Sequence, residues 1–122
     1  MIELAGEIFA KLSTKGVERA IIRLLQALTP EMLMEAIKRD ITLLQAIKNF
    51  PEKYKKEVYA ILGMIKTLGQ IYPRPDLDDA IQKLMQRMKE EKLDWMIRIF
   101  ETKKGRKWFR KQILELINFV WG

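Results

Sequence analysis

Residues Val58–Ile71 read VYAILGMIKTLGQI, and Lys66 carries the single charge among them. On a helical projection no side of this run is polar, and a helix without a polar face is normally buried around most of its circumference. A membrane span needs about 18 or more apolar residues in succession. This run is shorter and is interrupted by Lys66, so it predicts a core helix instead. Gly63 and Gly69 lower helix propensity, and close approach of neighbouring helices is the expected reason for them. The fold predicted from this stretch is all-α: a single domain, residues 1–122, built as an irregular bundle of six to seven helices around a central apolar helix, Val58–Ile71.

On its N-terminal side, Asn49-Phe50-Pro51-Glu52 marks a break, and Pro51 opens a helix whose first turns carry Lys53, Tyr54, Lys55 and Lys56. Before that, Thr29-Pro30-Glu31 places a capping hydroxyl, a first-turn proline and an acid in the order that starts a helix. Leu33, Ile37, Ile41, Leu44 and Ile47 then recur at threes and fours, which predicts one long helix. A helix-turn-helix would show a similar rhythm. Its turn, however, would be Lys38-Arg39-Asp40 without glycine, and Ile41–Ile47 offers few side chains that read base edges. Further back, Val17, Ala20, Ile21, Leu24, Leu25 and Leu28 predict a helix capped by Ser13 or Thr14. Ile2, Ala5, Phe9 and Leu12 predict another before it.

On the C-terminal side, Tyr72-Pro73-Arg74-Pro75-Asp76 is a firm boundary, because two prolines bias the chain away from helix. Asp76, Asp78 and Asp79 sit where a helix start favours acids, so capping explains them better than a metal site does. Leu77, Ile81, Leu84, Met85 and Met88 follow at helical spacing, and the stripe slips at Glu90–Leu93, which predicts a turn. A further helix covers Leu93, Met96, Ile97 and Phe100 and is predicted to end at Lys103-Lys104-Gly105. The last helix is predicted from about Arg106 to Trp121. The methionines Met85, Met88 and Met96, with Met32 and Met34, are expected as core filler. No sustained alternation or hairpin dipeptide predicts a strand.

The chain has 122 residues, 48% hydrophobic and 32% charged, a composition of ordinary folded proteins. It contains no cysteine and no histidine. Disulfides, thiolate or imidazole metal sites, nucleophilic cysteine and histidine general-base chemistry are therefore excluded. Ser13 is the single serine and has no histidine to activate it. The expectation is a non-catalytic protein with no catalytic residues, cofactor, metal site or small-molecule substrate. The first twelve residues mix Glu3, Glu7 and Lys11 with apolar positions, unlike a signal peptide, so a cytoplasmic location is expected. Abundant Ile, Lys and Glu with few Asn and Ser hints at a thermophilic source.

Net charge is +7. Residues 1–102 hold 17 basic and 15 acidic side chains, whereas residues 103–122 hold six and one. The excess therefore belongs to one segment, Lys103-Lys104-Gly105-Arg106-Lys107-Trp108-Phe109-Arg110-Lys111. Helix starts disfavour cations by about 0.3–1 kcal/mol each. A phosphate in front of the free backbone amides would reverse that preference. The predicted function is a small nucleic-acid-binding protein that holds DNA or RNA phosphates through Lys103, Lys104, Arg106, Lys107, Arg110 and Lys111. Trp108 is the expected base-stacking residue, and Lys53, Lys55 and Lys56 are expected secondary contacts. Phe109 continues into the apolar stripe Ile113, Leu116, Ile117 and Val120 and is expected in the core.

An alternative is an assembly subunit with an incidental basic patch. Phe119 and Trp121 cannot both share the stripe of Val120, so an exposed aromatic would mark a homodimer contact. Peripheral membrane attachment by the last helix is a third alternative.

Overall fold

The computed structural model describes residues 16–122, apart from the side chains of Ile47 and Lys53. The expected stripe Ile2–Leu12 and the Ser13 or Thr14 cap lie outside these residues. Seven helices and no strand occur among the described residues, as the all-α prediction requires. They are α1 (16–26), α2 (Pro30–Arg39), α3 (Leu43–Lys48), α4 (Glu52–Gly69), α5 (Leu77–Glu90), α6 (Asp94–Glu101) and α7 (Lys103–Trp121).

The starts marked by local chemistry fall where expected. Thr29 Oγ1 accepts the Met32 amide at 3.2 Å with Pro30 at the first helical position, and Asp76 Oδ2 accepts the Asp79 amide at 3.2 Å. The slip at Glu90–Leu93 is a turn in which Lys92 takes the left-handed conformation (φ 58°) and the Leu93 amide closes onto Met88 O.

Two boundaries differ from expectation. The long helix predicted across Ile41 is broken into α2 and α3. Asp40 is left-handed (φ 53°), and its amide and that of Ile41 fold back onto Ala36 and Ile37 carbonyls. Thr42 and Gln45 then cap α3 reciprocally, at 3.1 and 3.0 Å. The spacing Thr42-x-x-Gln45 is a capping box, a signal present in the sequence and outweighed there by the continuous apolar stripe. The second difference is at Gly105, which does not end α6 but occupies the first turn of α7. Thr102 forms the corner: its hydroxyl donates to Ile99 O at 2.7 Å and accepts the Gly105 amide at 3.1 Å.

The central helix is α7, not Val58–Ile71. Helix α7 packs against α2, α4, α5 and α6, and buries Gly105, Trp108, Phe109, Gln112, Ile113, Leu116, Ile117 and Val120. Fully burying a large apolar side chain contributes about 1.5–3 kcal/mol, so this face dominates the core. Helix α4 instead buries one stripe, Val58, Leu62, Ile65 and Gly69, and leaves Tyr59 and Met64 exposed; Ile71, beyond its end, is exposed too. Apart from Lys66 the run lacks charge because Ala60, Gly63 and Thr67 on its outer side are small and neutral, not because that side is covered. Arg87 on α5 reaches Glu18 on α1 at 3.2 Å, with both side chains largely buried.

The two helix glycines of α4 differ in the same way. A Cβ on Gly69 would fall 2.5 Å from Val120 Cγ1, which is the close approach expected of it, whereas one on Gly63 would meet nothing within 4 Å. At Gly105 the Cβ would lie 1.9 Å from the Ile99 carbonyl oxygen, so the corner admits no side chain there. Gly63→Ala is expected to raise stability by about 0.5–1 kcal/mol through helix propensity. Gly105→Ala is expected to lower it by about 1–3 kcal/mol or more, as overpacking does. Urea unfolding midpoints of the two variants measure both.

Candidate nucleic-acid interface

Helix α7 begins without an acid in its first turn. Thr102 takes up the Gly105 amide, and the Arg106 amide bonds to Thr102 O at 2.8 Å. The amides of Lys103 and Lys104 open the helix ahead of them. At about 100° per residue, Arg106, Arg110, Lys103, Lys107, Lys111 and Lys104 span an arc of about 160° in that order, so the six cations share one side of α7. All six are exposed.

Their partners separate them into two groups. Arg110 forms an ion pair with Asp78 on α5, and Lys111 lies 3.4 Å from Asp40 at the α2 C-cap. These pairs are half or more exposed, so each contributes at most about 1 kcal/mol and yields readily to a phosphate. Lys103, Lys104, Arg106 and Lys107 form no ion pair among the described residues. The first turn and a half of α7 therefore presents four uncompensated cations side by side.

Trp108 does not belong to this face, which corrects the stacking role expected of it. It is 3% exposed, and its Nε1–H donates to Ile41 O at 2.8 Å. Phe100 stacks on both Trp108 and Phe109, with ring centroids 6.2 and 4.3 Å away. On the helix Trp108 lies about 40° past Lys104, just beyond one edge of the cation arc, where the buried face begins. Beside it Gln112 accepts the Leu43 amide at 2.9 Å, a buried contact that sequence reading missed. Both bonds serve backbone groups of the α2–α3 turn, for which the sequence carries no pairwise signal.

Lys55, half-buried, lies 3.6 Å from Glu52, while Lys56 is exposed; the Lys53 side chain is outside the described atoms. Helix α4 runs in the same direction as α7. Leu62 lies with Gln112 and Leu116, Lys66 Nζ lies 5.2 Å over the Phe119 ring, and Gly69 meets Val120. The basic starts of α4 and α7 thus lie toward one end of the bundle. Tyr54, 54% exposed, is the aromatic at the start of α4.

Of the two C-terminal aromatics, Phe119 is 38% exposed, as the spacing required of one of them. Trp121 is held inward by its Nε1–H bond to Tyr72 O at 2.8 Å. Met88 and Met96 are fully buried and Met85 half-buried, but Met34 is exposed and Met32 lies at the surface edge, so those two do not fill the core. Asp76 caps α5 as a helix start predicts, Asp78 and Asp79 stand in its first turn, and Asp78 also pairs with Arg110 of α7.

No protein-family model, curated protein or solved structure matches the chain. Among the described residues, no helix is long and apolar enough to cross a membrane.

Trp108→Phe removes the donor to Ile41 O. It is expected to cost about 1–3 kcal/mol, the penalty of a buried carbonyl left without a partner. Thermal or urea unfolding measures the loss, while the exposed cations of α7 are untouched by the change.

Proposed function

We propose that this protein is a small non-catalytic nucleic-acid-binding protein that grips phosphates with the outer side of α7. The observation that carries this is the row Lys103, Lys104, Arg106 and Lys107: exposed, adjacent and, among the described residues, without acidic partners at a helix start. Amide dipoles at that end already favour negative charge, and four cations add to the same potential. Arg110 and Lys111 extend the row by exchanging a weak surface carboxylate for a phosphate. With Trp108 inside the core, the contacts are to backbone phosphate, which positions a nucleic acid without reading its bases.

Affinity for duplex DNA is expected to fall with a log–log salt slope between about −3.6 and −5.4, at about 0.9 per phosphate for four to six contacts. Arg106→Glu with Lys107→Glu is expected to weaken binding more than about tenfold at fixed salt, the direction that charge reversal of phosphate contacts dictates. Fluorescence anisotropy against duplex DNA, single-stranded DNA and RNA measures both. A slope near zero, or affinity unchanged in the double variant, contradicts the proposal.

The rival function, an assembly subunit, is favoured by the outer side of α4, where exposed Tyr59 and Met64 flank Ala60, Gly63 and Thr67, and by exposed Phe119. Under it, Tyr59→Glu or Phe119→Ala lowers the mass seen by light scattering, and reversal of the α7 cations leaves that mass unchanged.

A further inference from the structure

A cavity of about 330 Å³ opens between α1, α4, α5 and α7 beneath the Tyr72–Asp76 segment. Its depth is apolar and reaches core residues: Ile65 of α4, Leu84 of α5, and Ile113 and Ile117 of α7 are each at most 4% exposed. Val17 and Ile21 of α1 also line the cavity, as does Trp121, fixed by its bond to Tyr72 O. Ala80 on α5 is the small side chain in its wall. For scale, an apolar cavity of about 150 Å³ accommodates benzene, and a liquid water occupies about 30 Å³. A chain of about ten carbons is therefore the size that fits. Apolar walls with a few polar groups at one end are the usual make-up of a small-ligand site.

The charged residues on the rim are not equivalent. Glu18 is paired with Arg87 at 3.2 Å, Asp76 accepts the Asp79 amide, and Asp79 stands in the first turn of α5, where amide dipoles favour an acid. Glu18 thus has a cation partner, and Asp76 and Asp79 stand at the helix end that favours acids. Neither cation has an acid partner among the described residues: Arg74 meets the neutral Asn118 Oδ1 at 2.7 Å, and Lys83 forms no ion pair. We infer that this cavity binds a free amphipathic anion, a carboxylate carrying an unbranched chain of about ten carbons, with the chain among the core residues and the head between Arg74 and Lys83. The site is separate from the basic side of α7 and does not rest on nucleic-acid binding.

The test is isothermal titration of the full chain with decanoate, decanol and decyltrimethylammonium below their aggregation concentrations. Decanoate is expected to bind one to one and at least about tenfold tighter than decanol, as one charge-assisted contact supplies. Ala80→Trp, which fills the space, is expected to abolish binding, with circular dichroism reporting whether the helices persist. Arg74→Gln with Lys83→Gln, both at the surface, is expected to bring decanoate down to the level of decanol without altering the fold. Absence of saturable binding overturns the inference, as does equal affinity for the three amphiphiles. So does decanoate binding that survives Ala80→Trp, or that is lost in the Arg106→Glu, Lys107→Glu variant and kept in the rim variant.

Discussion

Where α2 gives way to α3, the chain turns through Asp40–Thr42 and leaves the Ile41 carbonyl and the Leu43 amide without helical partners. Helix α7 supplies both, through the Trp108 indole and the Gln112 carboxamide. A buried backbone group left unpaired costs about 1–3 kcal/mol, more than any exposed ion pair returns. These two bonds, with Phe109, Ile113, Leu116, Ile117 and Val120 on the same side, fix the rotation of α7 about its own axis. The cations have no say in it. They occupy the outer side because the inner side is fully specified, and this is why six charges separated along the sequence gather into one row.

The corner at Thr102 completes that arrangement. One hydroxyl serves the last turn of α6 and the first turn of α7, and Gly105 lets the two helices meet at a distance no side chain would allow. The start of α7 is thereby held at the surface with Lys103 and Lys104 in its first turn. Across the bundle, α4 runs alongside α7 in the same direction and brings its own basic start toward that end. Toward the other end, beside the contact of Gly69 with Val120 and Trp121, lies the apolar cavity. The two candidate sites are consequences of one packing pattern around α7.

Much of the fold was legible in the sequence, because breaks are written in local chemistry. Thr29-Pro30, Pro51, the paired prolines at 73 and 75, and the slipped stripe at Glu90–Leu93 each mark a boundary that exists. The α2–α3 break was obscured because Ile37, Ile41 and Leu44 keep helical spacing across it, although Thr42 and Gln45 carried a capping signal. Which helix lies at the centre was not legible. Val58–Ile71 reads as apolar all round, yet Tyr59, Met64 and Ile71 face outward, and neutral residues do not announce which side is covered. The concentration of cations over residues 103–111 was visible from their positions in the sequence. The inward rotation of Trp108 depended on a partner 67 residues away, and the cavity on four helices at once, neither of which leaves a local trace.

The claim most exposed to test is that α7 separates its two faces: phosphates meet the cations while Trp108 stays bonded to Ile41. Isotope-labelled protein titrated with a short DNA duplex, followed by backbone amide and indole proton resonances, tests it directly. Shifts concentrated on Lys103, Lys104, Arg106 and Lys107, with the Trp108 indole resonance unmoved, are expected. A Trp108 indole signal that moves or broadens as duplex is added, or shifts scattered over the bundle with none at the start of α7, would contradict it.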